Sequence, residues 1–189
     1  MPLTTYTAGE VLTAASLNAN LSFAASNPGS ALTFIKSQAI VAGATTFTMT
    51  AAFSATYENY LITAQNLVMS GAGNQIRITI NGSTSTTYST GFITLDYSSS
   101  TVSGTVQSAV STGVSFGDQT AASTQFWIKV FSPFLAAATT FEGQQTNTAG
   151  GRWINGIDTN AASSTAFTLT MSANTFTSGN IRIYGIATL

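Results

Sequence analysis

The sequence predicts an all-β protein, an antiparallel β-sandwich of jelly-roll type with one short helix before it. Apolar and polar side chains alternate with a period of two through most of the chain after residue 30. This alternation is typical of antiparallel strands that bury one face and expose the other. Roughly nine or ten such runs, separated by turns rich in Gly, Asn and Asp, favour a sandwich over a fold that alternates strands and helices.

The first predicted element is a helix over residues 13–25. Thr13 is a favourable N-cap residue, and Leu17 and Leu21 lie four residues apart on one helical face. The sequence Asn-Pro-Gly at 27–29 ends the pattern. A helix of about 13 residues is marginal by itself in water, so its leucine face is expected to pack on another surface.

The chain therefore divides into two predicted parts. Residues 1–30 form an attachment arm that contains the short helix, and residues 31–189 form the β-sandwich domain. The alternative is that the helix packs on its own domain. If the arm docks on another protein, the apolar side chains that make the contact are expected to be Leu12, Leu17 and Leu21.

Alternation also predicts which face of each strand is buried. In FITLDYS, Ile93, Leu95 and Tyr97 are expected to face the core and Asp96 to face solvent. Turns are expected at short segments that contain glycine. These segments are 71–74, 81–82, 117–118, 149–151, 155–156 and 178–180.

Two segments are less regular. The valines of 102–116 lie four residues apart, which a helix would allow, but Gly104 and Gly113 weaken a helix and favour strand. The segment 124–134 is apolar on both faces. That composition suits a central strand covered on both sides, or one covered by a neighbouring subunit.

Composition excludes several classes of site. There is no cysteine and no histidine, which rules out disulfides, His-ligated metals and catalysis by His or Cys. Only 6% of the residues are charged, and the five cations are scattered, which argues against nucleic-acid binding. No apolar window has transmembrane length and the start shows no Sec-type signal pattern, so we expect no membrane insertion.

The low charge also bears on assembly. Hydrophobic residues make up 44% of the chain and the mean hydropathy is +0.26. Solubility normally depends on a net charge well away from zero, whereas the net charge here is −1. We therefore expect part of the surface to be covered by other copies or by partners, and we predict a homo-oligomer.

Catalytic chemistry has one candidate pair. Glu142 and Asp158 would face each other across a hairpin that turns at 149–151, and a glycosidase uses two such carboxylates. The alternative, isolated acids on the surface or in turns, is favoured. No serine has an evident base, and phosphate-binding and calcium-binding spacings do not occur. We therefore predict no catalytic residue, no metal site and no cofactor.

Ligand binding by surface side chains is better supported. Sugars are held by aromatic faces and by hydrogen bonds from amide and hydroxyl groups, and the chain is rich in both. Trp153 lies between two predicted turns and is expected at an exposed turn tip. The alternative for each aromatic side chain is packing in the core or between subunits. The candidate ligand contacts are Trp153, Tyr88 and Asn155.

The segment TYTAGEVLTAASLNANLSF resembles a short element that opens structural proteins of tailed-bacteriophage virions, particularly tail fibres. The shared pattern is an aromatic residue, a glycine, an acid, Leu-Thr-Ala and then Leu-Asn-Ala. The family usually has an acid where this chain has Ser16. The segments YENYLI (57–62) and SGNIRIYGIA (178–187) resemble strands of small β-rich modules in phage fibres. The matching N-terminal positions are Tyr6, Gly9, Glu10, Leu12, Thr13, Ala14, Leu17, Asn18 and Ala19.

The resemblance implies a structural protein of the virion, a tail-fibre or appendage component that helps attach the phage to a host-surface glycan. It implies synthesis in the bacterial cytoplasm without a signal peptide, a trimer as the homo-oligomer, and docking of the arm on tail, baseplate or capsid proteins. The alternative is a capsid decoration protein, a cement or head-fibre protein that stabilises the phage head. A polysaccharide-degrading enzyme is a third alternative, which requires Glu142 and Asp158 to be paired.

Overall fold

The computed structural model describes residues 32–80, 86–99, 101–110, 112–119 and 123–187. These residues form twelve β-strands and no helix, so the prediction of an all-β protein is confirmed. None of them belongs to a helix that is long and apolar enough to cross a membrane. The predicted helix and the attachment arm, with Leu12, Leu17 and Leu21, lie outside the described residues.

In chain order the strands are β1 (Leu32–Ala39), β2 (Thr46–Met49), β3 (Asn59–Met69), β4 (Asn74–Ile80), β5 (Tyr88–Asp96), β6 (Val102–Val110), β7 (Val114–Gln119), β8 (Thr124–Phe131), β9 (Thr139–Thr146), β10 (Gly150–Asp158), β11 (Phe167–Met171) and β12 (Phe176–Ile186).

The strands form two antiparallel sheets. The larger sheet has eight strands in the order β1-β12-β3-β8-β9-β10-β5-β6, and the smaller sheet has four in the order β2-β11-β4-β7. The hairpins β9–β10 and β5–β6 supply four neighbouring strands at one end of the larger sheet. We call the face of the larger sheet that packs on the smaller sheet the inner face, and the opposite one the outer face.

The core lies between the inner face and the smaller sheet, and apolar side chains from both sheets form one buried cluster. Phe116 of β7 and Phe126 of β8 contact each other across the two sheets, with ring centroids 4.5 Å apart. The sheets approach most closely beside Gly156 of β10, where a Cβ atom would lie 2.7 Å from Val114 of β7. Close packing of this kind fixes which residues of each strand can face inward.

Buried hydrogen bonds tie the two sheets together near the start of β5. The Tyr88 hydroxyl donates to the carbonyl oxygen of Ile80, at the end of β4, at 2.7 Å and accepts from its backbone N–H at 3.0 Å. The backbone N–H of Ser115 in β7 donates to the hydroxyl oxygen of Thr90 in β5 at 3.1 Å. Burial, with a smaller contribution from the Asp158 carboxylate, holds the pKa of Tyr88 above its ordinary range. The Tyr88 hydroxyl therefore stays protonated and can donate.

The face of β5 that packs on the core is the opposite of the predicted one. Ile93, Leu95 and Tyr97 lie on the outer face and are exposed, whereas Phe92 packs against the core. The buried ring of Tyr88 places the even-numbered residues of β5 on the inner face, because side chains alternate along a strand. The expectation that the odd-numbered apolar residues face the core is therefore wrong.

The two irregular segments form strands. The segment 102–116 is divided between β6 and β7, which excludes the helical alternative. The segment 124–134 contains β8, the fourth strand of the larger sheet, so the central position is confirmed. Its inner-face side chains are buried, and Trp127 and Phe131 are half-buried on the outer face.

Three of the predicted turns are wrong. The segments 117–118, 155–156 and 178–180 lie inside β7, β10 and β12. In β12 the register with β3 shifts at this point, and Gly179 has a φ of +143°, which L side chains rarely adopt. Glycine there allows a bulge rather than a turn.

The other predicted turns agree with the structure where it describes them. The segments 71–74 and 149–151 fall at the connections between β3 and β4 and between β9 and β10. The segment 81–82 lies outside the described residues.

The Tyr88 hydroxyl is expected to contribute directly to stability. In the Tyr88→Phe variant, a buried N–H and a buried carbonyl lose their partner, which costs about 1–3 kcal/mol in the free energy of unfolding. Urea denaturation of both proteins measures the difference. The matched control is Tyr97→Phe, because the side chain of Tyr97 is exposed. Equal stabilities of the two variants would show that Tyr88 acts only by packing.

The Asp96 carboxylate provides a test of the hairpin between β5 and β6. Its Oδ1 atom accepts hydrogen bonds from the backbone N–H and the hydroxyl of Ser98, both at 2.8 Å. These two hydrogen bonds hold the pKa of Asp96 below its ordinary value of 3.8, and the bond from the Ser98 hydroxyl has the larger effect. A lowered folded-state pKa contributes stability above pH 3.8, which is lost as the pH falls through the folded-state value.

We expect Ser98→Ala to raise the pKa of Asp96 toward its ordinary value, and Ser98→Thr to keep it low because threonine retains the hydroxyl. Carboxyl titration by NMR measures both variants. An unchanged pKa in Ser98→Ala would show that the hydroxyl does not bind the carboxylate in solution.

Candidate functional site

The outer face of the larger sheet carries a row of large side chains. Trp127 of β8, Gln144 of β9, Trp153 of β10 and Ile93 of β5 are paired in register across four neighbouring strands. Side chains paired in this way point to the same face, with Cβ atoms about 4.5–5.5 Å apart. None of the described strands packs over this row. The row is therefore a surface feature rather than a second core.

Two cavities adjoin the row and share Trp127 and Gln144. One has a volume of about 370 Å³ and lies between Trp127 and Trp153. The other has a volume of about 570 Å³ and extends toward the turn after β9. We call the two cavities together the outer groove, and its main lining side chains are Gln125, Trp127, Glu142, Gln144, Trp153 and Asn155.

The two tryptophans differ in exposure. Trp153 is 57% exposed, and Trp127 is half-buried. Their strands are separated by β9, so the two backbones lie about 9.6 Å apart, which is two inter-strand spacings. This separation approximates the length of two sugar rings in an extended chain. The two indoles thus offer two apolar surfaces with the Gln144 amide between them.

A second row, two residues along each strand, adds polar groups. Lys129, Glu142 and Asn155 are paired in register on β8, β9 and β10. The Lys129 ammonium lies 5.9 Å from the centroid of the Trp127 ring, within the range of a cation–π contact. Glu142 and Asn155 are exposed. The groove therefore presents hydrogen-bond donors and acceptors beside its aromatic surfaces.

The structure brings together two of the three predicted ligand contacts. Trp153 and Asn155 lie on the outer face of β10, two residues apart. Trp153 is in the middle of a strand, so its predicted position at a turn tip is wrong, although it is exposed. Tyr88 does not join them, because it is fully buried on the inner face and its hydroxyl donates a hydrogen bond to the carbonyl oxygen of Ile80.

Sequence reasoning missed the partners of Trp153. Trp127, Gln144 and Glu142 line the same groove but lie on two other strands. The turn between β9 and β10 was a usable signal, because counting outward from it pairs Gln144 with Trp153. The contribution of Trp127 required knowing that β8 is the other neighbour of β9.

The proposed carboxylate pair is not assembled. Glu142 pairs in register with Asn155 and is exposed on the outer face. Asp158 pairs with Thr139 and is fully buried on the inner face. The two carboxylates lie on opposite faces of one sheet, so they cannot flank one glycosidic bond.

Metal ligands are not clustered in the part of the chain that the structure describes, where no three acidic side chains form a group able to hold an ion. The outer groove contains one carboxylate, from Glu142. The groove presents aromatic surfaces, amides and single charges.

No known protein-family model matches the sequence, and no curated protein matches it either. The function is therefore inferred from the side chains of the outer groove and from the N-terminal pattern. The inference from the groove and the inference from the N-terminal pattern can be tested independently, since the two are separate parts of the chain.

The difference in exposure of the two tryptophans can be measured directly, since the chain contains only these two. Trp127→Phe leaves Trp153 as the single indole, and Trp153→Phe leaves Trp127. We expect acrylamide to quench the fluorescence of Trp153 more strongly than that of Trp127, because Trp153 is the more exposed. Equal quenching of the two variants would mean that Trp153 is covered in solution.

Proposed function

We propose that the protein is a non-enzymatic structural protein of a tailed-bacteriophage virion, a tail-fibre or appendage component that binds a host-surface glycan through the outer groove. The observation that carries the proposal is the pair of tryptophans that flanks Gln144 on a sheet face that no described strand covers. The N-terminal sequence pattern supports the proposal of a virion protein, and the outer groove supports the proposal of glycan binding.

A glycan suits the groove because a sugar ring has apolar C–H faces and a polar edge of hydroxyl groups. The Trp127 and Trp153 rings supply apolar surfaces for the faces. The side chains of Gln144, Glu142 and Asn155 supply donors and acceptors for the hydroxyl groups. A large exposed aromatic surface with a polar rim is itself a mark of a binding site.

Adhesion by this groove depends on several copies acting together. A shallow, open groove gives a weak contact with each sugar chain, and linked copies raise the overall avidity without any new contact. The low charge of the chain, 6% of residues, also supports assembly into an oligomer. In the proposed virion, Leu12, Leu17 and Leu21 of the arm dock on a neighbouring virion protein, and the chain is made in the host cytoplasm.

We also infer that the two sheets form a β-sandwich of jelly-roll type with two inserted hairpins. When β5–β6 and β9–β10 are set aside, eight strands remain. Numbered in chain order, these eight are arranged 1-8-3-6 in one sheet and 2-7-4-5 in the other. This nested order, with the first strand beside the last, supports a jelly roll. The outer groove then lies where the inserted β9–β10 hairpin joins β8.

Glycan binding is tested with purified bacterial surface polysaccharides, namely lipopolysaccharide and wall teichoic acid, immobilised as an array. We expect Trp153→Ala to lower the affinity for the bound polysaccharide at least about tenfold, which corresponds to about 1.4 kcal/mol. Trp153 is exposed, so the substitution should leave the fold intact.

The matched control is Tyr97→Ala, which removes an exposed aromatic side chain outside the groove and should leave the affinity unchanged. Equal losses in the two variants would remove the groove from the proposal. Failure of the parent protein to bind any polysaccharide of the array would overturn glycan recognition.

The proposal that this chain is part of a virion is tested by electron microscopy of phage particles with a gold-labelled antibody against it. Gold on the tail or its fibres would support the proposal. Gold over the head would replace it with the capsid decoration alternative, and label on no particle would reject a virion protein altogether.

A further inference from the structure

We infer that two copies of the chain pair antiparallel through the outer edge of β6, so that their larger sheets become one continuous sheet across a twofold axis. This inference is independent of glycan binding. It rests on three observations: an open strand edge, an exposed apolar surface beside it, and a sequence in β6 that is complementary to itself.

The outer edge of β6 is open. It is the last strand of the larger sheet, and among the described strands it pairs only with β5. The sequence of β6, VSGTVQSAV, contains no charged residue and no proline. A long edge without charge or proline presents a row of backbone donors and acceptors that can pair with another strand.

The opposite edge of the same sheet is protected. In β1 the register with β12 shifts between Phe34 and Lys36. The Lys36 ammonium crosses to the backbone carbonyl oxygen of Thr50 at 3.1 Å. A bulge and a lysine are two of the devices by which proteins prevent pairing at an edge. The register of β6 with β5 also shifts, between Gln107 and Val110, but the segment 102–106 pairs regularly and carries no lysine. Within the described strands, β1 is therefore protected along its middle, and the segment 102–106 of β6 is left open.

The outer face beside β6 is apolar. Val102 is 63% exposed and Val106 is 79% exposed. Val102 pairs in register with Leu95 of β5, and Gly104 pairs with Ile93. These four apolar side chains, Ile93, Leu95, Val102 and Val106, form one uncharged surface that ends at the open edge. Pairing at this edge brings Val102 and Val106 of the two copies into contact, which removes part of this apolar area from water and stabilises the association.

A second copy fits this edge because β6 is complementary to itself about Gly104. An antiparallel pair centred on Gly104 places Val102 of one copy opposite Val106 of the second copy, and the reverse. Both contacts join β-branched side chains on the same face, a favourable cross-strand pair. A self-contact brings identical charges together, and β6 carries none.

The N-terminal segment is a less suitable occupant. It joins the described structure at Leu32, the start of β1, at the other edge of the sheet. That edge is seven strand spacings from β6, about 34 Å at 4.8 Å per spacing. A second copy needs no such crossing.

The geometry also sets the number of copies. Pairing of one strand edge with itself uses the same surface on both partners, and the contact closes at two. The expected assembly through β6 is therefore a dimer, in place of the trimer that the family resemblance implies.

The test uses the Gly104→Cys variant, in a chain that otherwise has no cysteine. A Cβ atom at Gly104 meets no atom within 4 Å, so the substitution should not disturb the fold. Across the proposed axis the two cysteines face each other with Cα atoms about 4.5–5.5 Å apart, within the range of a disulfide. Under mild oxidation we expect most of the variant to run as a covalent dimer on a non-reducing gel.

The matched control is Ala39→Cys, an exposed position on β1, which should remain largely monomeric on the same gel. In the Gly104→Cys background, Val106→Lys should lower the crosslinked fraction several-fold, because lysine lies on the apolar contact. Phe34→Lys, an exposed position on β1, should not change it. Equal crosslinking of the two cysteine variants, or no effect of Val106→Lys, would overturn the inference, as would a trimer mass for the parent protein by light scattering.

Discussion

Among the residues that the structure describes, only one face of the larger sheet is buried, and the rest of the described structure depends on this constraint. The inner face packs on the four-stranded sheet so closely that Gly156 has no room for a side chain beside Val114. Because a slip of one residue would turn every side chain of a strand to the other face, this packing fixes the register of the strands that bury side chains between the two sheets. Trp127 and Trp153 are consequently held on the outer face, by the burial of their neighbours along the strand.

Burial of the inner face also separates the residues that stabilise the fold from the residues that are exposed for contact. Tyr88, Ile80 and the apolar cluster hold the two sheets together without involving the main lining side chains of the outer groove. Trp153 and Val106 are largely exposed and add little to the core. These exposed apolar side chains are the basis of the proposed contacts with a glycan and with a second copy.

Much of the fold could be predicted from the sequence, because a period of two is the direct mark of one-sided burial. It predicted the all-β class, the hairpin at 149–151 and the central position of β8, but it predicted roughly nine or ten strands where the described residues form twelve. It did not establish which face of β5 is buried. Ile93 and Leu95 are apolar and were expected in the core, but the buried Tyr88 places the even-numbered residues of β5 on the inner face. The groove was found only in part. Its main lining side chains come from three strands, and strand order depends on contacts distant in sequence.

The arrangement of the larger sheet has a mechanical consequence. The chain enters it at Leu32 on β1, and Trp153 lies on β10, the sixth strand in the order. A pulling force between an anchored N-terminus and a ligand held at Trp153 crosses five strand–strand ladders in series. The weakest ladder then limits the load, and three of the five ladders, β1–β12, β12–β3 and β3–β8, are interrupted by register shifts. The ladders β8–β9 and β9–β10 pair without a shift. Resistance of the protein to force is thus set on the side of the sheet where the chain enters, and the ladders beside Trp153 are the regular ones.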